Sequence, residues 1–133
     1  MTPTTAAIAN SFNDAITRRD LDGLTALMTP DHTFTDADGG AVTGRAASRD
    51  AWEGFFAAFP DYRNVFTTVI AGRDRATLAG YSVCTEPALD GPALWTATIH
   101  DGRVASWTVH HDNPENRRRL GLPAQGTADD DRR

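Results

Sequence analysis

Lysine is absent from this 133-residue chain, cysteine occurs once, and no apolar run approaches the ~18 residues a membrane span requires. With Cys84 alone, no internal disulfide can form and an oxidising compartment is not implied. The formal charge is −5, so the chain has no basic stripe with which to hold nucleic acid or an anionic membrane. Its one basic run, Arg117-Arg118-Arg119, reads as a solvated helix face. Met1-Thr2-Pro3 is not a basic segment leading into an apolar one, and a cytoplasmic location is expected. There is no glycine-rich phosphate loop, no dinucleotide fingerprint, no strained serine elbow and no metal-ligand spacing. The reading therefore assigns no cofactor and no metal.

What is present is enough for one core. Hydrophobic residues make up 40% and charged residues 23%, which suits a single domain over residues 1–122, with a polar, disordered tail over 123–133. Thr2-Pro3 reads as a cap for a first helix, in which Ile8, Phe12, Ala15 and Ile16 recur at helical spacing to about Arg18. Asp20 caps a second, short helix ended by Thr29-Pro30. His32 to Asp36 alternates as a strand with His32, Phe34 and Asp36 on one face. A third helix carries Trp52, Phe55, Phe56 and Phe59 at i, i+3, i+4 and i+7 and stops at Pro60. The period then changes to two. Turn signals divide the remainder into strands near Tyr62–Ile70, Arg75–Thr85, Ala93–His100 and Arg103–His111, joined as a meander, with a short helix through Arg119. Helices, a strand, a helix and a meander give an α+β layout, and a twisted sheet of this length curls around the aromatic helix into a cone.

Arg19-Asp20-Leu21-Asp22-Gly23-Leu24, then Pro30 to Asp36, then Thr43-Gly44-Arg45, resemble the opening of SnoaL-like and ketosteroid-isomerase-like proteins. Gly102 to Val109, followed by Asp112 and Leu120-Gly121, resembles the close of SnoaL-like polyketide cyclases. The resemblance spans about residues 5 to 122. It implies the nuclear transport factor 2-like fold, a cystatin-like α+β barrel with a hydrophobic pocket, and a homodimer. It also implies a small hydrophobic molecule as partner, with isomerase, cyclase or hydratase chemistry by general acid and base, or simple ligand binding or dimerisation.

Carried over by position, the resemblance places a proton-shuttling carboxylate at Asp36. Phe12 stands where the steroid isomerases have an oxyanion-hole tyrosine, and Trp95 near their oxyanion-hole aspartic acid; neither can stabilise an enolate as those groups do. The cyclase acid/base falls on His111 when counted from Trp107 and on Asp112 when counted from Leu120-Gly121. One residue of register decides between them. Asp36 also has a plainer reading, as a turn aspartate bonded to nearby backbone. The aromatic and apolar residues expected at the pocket are Phe12, Ile16, Phe34, Trp52, Phe55, Phe56, Phe59, Tyr81, Trp95 and Trp107. Thr67, Val69, Leu78 and Val83 are the residues expected on an outer, dimer-forming sheet face.

Overall fold

Thr4, rather than Thr2, caps the first helix: its hydroxyl accepts from the Ala7 amide at 3.0 Å, and α1 runs Thr5–Arg18. Thr2 falls outside residues 3–124, which the computed structural model describes. Ile8, Phe12, Ala15 and Ile16 make the buried stripe of α1. Arg19 leaves the helix in the left-handed region, and its guanidinium donates to the carbonyls of Phe59 and Pro60, tying two helix ends together. Asp20 caps α2, Leu21–Ala26, by accepting from the Gly23 amide at 3.0 Å. A methyl on residue 23 would overlap that carboxylate, so the Asp20 side chain would have to shift to keep its cap.

The chain turns from helix to strand earlier than Thr29-Pro30 suggests. α2 ends at Ala26, and β1 occupies Met28–Thr35 with Pro30 inside it. β1 lies parallel to the last strand, pairing Met28 with Val104 and then Thr33 with Ser106 across a register shift. Pro30 sits in that shift, where a missing amide donor costs no ladder bond. A short β2, Ala41–Thr43, returns antiparallel along β1. α3 spans Arg45–Ala58, and the meander follows as β3 Arg63–Ala71, β4 Arg75–Val83, β5 Gly91–His100 and β6 Arg103–His110. The strand order is β2-β1-β6-β5-β4-β3. Asp101 and Gly102 both have positive φ, as a two-residue hairpin turn between His100 and Arg103 demands.

The result is an α+β molecule with a curved, six-stranded sheet that stays open, its edges being β2 and β3. A bulge between Phe66 and Thr68 bends β3 over β4. Phe66, Leu78, Trp95 and Trp107 form the concave face and pack with Phe12 and Ile16 of α1. The register Val69–Leu78–Trp95 puts Leu78, fully buried, and Val69, at its open edge, on that inner face, which corrects the expected place of both outside. On the convex face Ala79 and Leu94 are covered by Leu120 and Leu122 at and beyond the end of α4, Pro114–Leu120. Of the expected tail, Pro123 accepts through its carbonyl from Arg117, while Gln125 to Arg133 lie outside the described residues.

Candidate active site at the mouth of the bowl

The narrow end of the bowl is filled. Phe12 packs on Trp107 at 4.6 Å between ring centres and on His32 at 5.6 Å, and Phe66 meets Trp95 edge-on at 5.0 Å. Phe12, Ile16 and Trp95 are therefore core, not cavity wall: α1 crosses the sheet there and leaves no space. Toward the wide end no residue of α1 lines the space between α3 and the sheet, and a cavity of about 460 Å³ remains. Phe34, Trp52, Phe55, Trp107 and Val109 give it an apolar wall. Trp52 holds the belt together, meeting Phe34 and Phe55 edge-on, each at 5.5 Å. Phe56 and Phe59 do not reach the cavity; Phe56 backs Trp52 beneath the Arg19 guanidinium, and Phe59 backs Phe55. Tyr81 is 43% exposed because it shares the outward parity of Ala79 on β4, so it too is removed from the pocket set.

Two lips frame the mouth. One is the β1–β2 turn, in which Asp36 accepts from the amides of Asp38 and Gly40, both at 2.9 Å. That is the turn aspartate of the plainer reading: Oδ1 of the exposed Asp36 takes both amides, while the residue also lines the cavity mouth, as expected of a pocket carboxylate. Its consequence is the placement of Asp38, whose Oδ1 lies 3.0 Å from Nε2 of His111 at the cavity rim. The other lip is the β4–β5 loop. There Asp61 accepts from the Thr85 amide, which holds its carboxyl below the usual range, and Asp90 accepts from the Cys84 amide.

His110, His111 and Asp112 turn to three different partners. His110 faces outward, its Nε2 bonded to Thr96 Oγ1 at 2.9 Å, and burial followed by the charges of Arg119 and Arg75 lowers its pKa. His111 follows the end of β6 and reaches the mouth. Asp112 is removed from the acid/base set: Arg117 grips both its oxygens, at 2.6 and 2.9 Å, and only 2% of its side chain is exposed. His32 is fully buried, and burial pushes its pKa down. Its Nδ1 lies 2.6 Å from the Val104 carbonyl, which can only accept, so Nδ1 carries the proton. Among the described residues no three His, Cys, Asp or Glu side chains converge as metal ligands would.

Asp38, Tyr62 and Ser82 also line the cavity; Tyr62 belongs to the aromatic set from which cavity residues are expected but not to the pocket residues named, and Asp38 and Ser82 are not expected there. Asp38 lies in the sequence Asp38-Gly39-Gly40, which reads as a turn and not as a site. Tyr62 and Ser82 stand on the inner wall beside Phe55, and burial raises the pKa of the Tyr62 phenol. The available signal was parity: on β4, Ser82 follows Leu78 inward, whereas Tyr81 does not.

A family model for the SnoaL-like domain matches residues 9–111, from α1 to the histidine at the mouth. The chain belongs to the SnoaL-like family. No curated protein matches the sequence. Among solved structures, a Sinorhizobium meliloti protein named as a candidate polyketide cyclase is 24% identical, with a TM-score of 0.70 over 77% of this chain and 93% of that one. A Kribbella flavida protein named as a candidate ketosteroid isomerase is 20% identical, with a TM-score of 0.68 over 91% of each chain. TerC, crystallised with polyporic acid, is 17% identical, with a TM-score of 0.69 over 87% of this chain and 96% of its own. Other similar structures are described as NTF2-like. These likenesses establish the fold of this SnoaL-like domain, and no helix in its described residues is long and apolar enough to cross a membrane.

Proposed function

We propose that this SnoaL-like domain binds a small, largely apolar molecule at the wide end of the bowl and moves a proton on it through His111. The observation that carries the reading is the coincidence of an apolar cavity of about 460 Å³ with a histidine–aspartate pair at its rim. Asp38 orients the imidazole, Asp36 fixes the turn that presents Asp38, and the aromatic wall orders the substrate. The chemistry that fits is proton removal next to a carbonyl, shared by isomerisation and aldol-type cyclisation. The names of the Sinorhizobium and Kribbella structures, and the polyporic acid crystallised with TerC, support a small-molecule role.

Deuterium exchange into 2-tetralone, followed by proton NMR, tests it. The protein should accelerate exchange above buffer, and His111→Ala should remove ~10²-fold or more of that acceleration. Equal exchange with both proteins would refute His111 as the base. A non-catalytic binding role has one observation in its favour: 63% of the His111 side chain and 88% of that of Asp38 are exposed, leaving the pair in water. It predicts 2-tetralone binding without exchange. The reading includes a cytoplasmic homodimer formed through the convex face, where Ile70 and Tyr81 are exposed, and light scattering from a monomer at high concentration would refute that dimer.

A further inference from the structure

Four buried polar side chains form a hydrogen-bonded chain from α1 to the cavity, and its direction can be read from one backbone carbonyl. Asn13 Nδ2 donates to the Asn64 carbonyl at 3.1 Å; a carbonyl only accepts, so the orientation of the Asn13 amide is fixed. Asn13 Oδ1 is then the acceptor for Asn64 Nδ2 at 3.3 Å, which in turn fixes the Asn64 amide. Asn64 Oδ1 is left facing Ser82 Oγ at 2.7 Å, and Ser82 must donate its single proton to it. At the cavity wall Ser82 can therefore only accept. Its partner there is the Tyr62 hydroxyl at 3.4 Å, a long contact for two hydroxyl oxygens. Asn13, Tyr62, Asn64 and Ser82 are each at most 8% exposed, so water does little to complete the chain.

Resting on the small-molecule reading above, the geometry points to a ligand-selecting corner: Ser82 and Tyr62 recognise a hydroxyl group on the bound molecule, in preference to an ether or a ketone. A hydroxyl both accepts and donates. Placed at this corner it accepts from Tyr62 and donates to Ser82, so every proton from the phenol to Asn13 runs in one direction. An ether or ketone oxygen takes the Tyr62 proton but leaves Ser82 without a donor. The raised pKa of Tyr62 agrees with this, because the phenol stays protonated. The class of ligand is a phenol, enol or alcohol on an apolar body.

Calorimetric titration with 2-naphthol and 2-methoxynaphthalene tests the corner. Wild type should prefer 2-naphthol by about fivefold, Ser82→Ala should bring the two affinities within about twofold, and Tyr62→Phe should weaken both while keeping most of the preference. Should Ser82→Ala fail to fold, Ser82→Cys, whose sulfur accepts poorly, should give the same loss of preference. Binding of both probes with no preference, or a preference that survives loss of the Ser82 hydroxyl, would overturn the corner and leave the cavity intact. No binding of either probe at about 1 mM would refute the cavity reading itself, and the corner with it.

Discussion

The floor of the bowl and its mouth are built from the same materials, Phe12, Phe66 and Trp95 at one end and Phe34, Trp52 and Phe55 at the other, with Trp107 reaching from the floor core to the cavity wall. At the floor, α1 lays an apolar stripe across the sheet, and the rings disappear into a core in which Phe12, Trp95 and Trp107 are almost fully buried. At the mouth the opposing surfaces are two turns, held by aspartates bonded to backbone amides. Turns stabilised in this way supply polar atoms and little apolar volume, so the aromatic wall is left facing a cavity. Whether an aromatic residue is structure or site is decided here by what crosses above it, not by its type.

The widest separation between the two regions should appear in stability. Trp107→Ala and Phe12→Ala should each cost about 4 kcal/mol in denaturant unfolding, whereas Phe55→Ala, half-buried at the mouth, should cost about 1–2 kcal/mol. Equal losses would erase the distinction. Next comes the end of β6, where adjacent residues differ in the same sense. Arg117→Ala strands the Asp112 carboxylate and should cost about 2 kcal/mol, less than the roughly 3–5 of a fully enclosed pair, while His111→Ala should leave the unfolding midpoint near wild type.

Protonation sharpens the comparison further. His32 beside the floor and His110 on the convex face both have folded pKa values below 6.5, so as the pH falls through that value the unfolded chain takes up protons that the folded chain refuses. The stability they contribute is complete above about 6.5 and declines below it. The unfolding midpoint should fall between about pH 7.5 and 5, and His110→Gln should flatten part of the slope. A midpoint that rises on acidification would contradict the buried, neutral state of His32. The smallest effect belongs to the outer surface: Tyr81→Ser should change stability by no more than about 0.5 kcal/mol when measured on dilute monomer.

Much of this architecture was legible because the pattern settles to period two after Pro60, and because Asp101-Gly102 marks the hairpin that pairs β5 with β6. The α+β order and the meander follow from those features, and the fold family from the resemblance of Arg19 to Leu24 and Gly102 to Val109 to SnoaL-like proteins. Pro30 misled because its expected effect is local, while its place in β1 is set by pairing with β6 some seventy residues away. The same limit explains the cavity residues. Helical spacing groups Trp52, Phe55, Phe56 and Phe59, but only the end of α1, through Arg19, decides that the last two face away. Asp38 was hidden by being a turn residue, and its bond to His111 joins positions that only the completed sheet brings together.

The central claim is that the floor is closed and the mouth is a binding site, and the three tryptophan indoles mark the depths. Nitrogen-15 correlation spectra recorded during titration with 2-naphthol should show the Trp52 and Trp107 indole resonances shifting saturably while Trp95, sealed behind Phe66, stays in place. Movement of Trp95 with Trp52 unmoved, or no movement of any of the three, would contradict it.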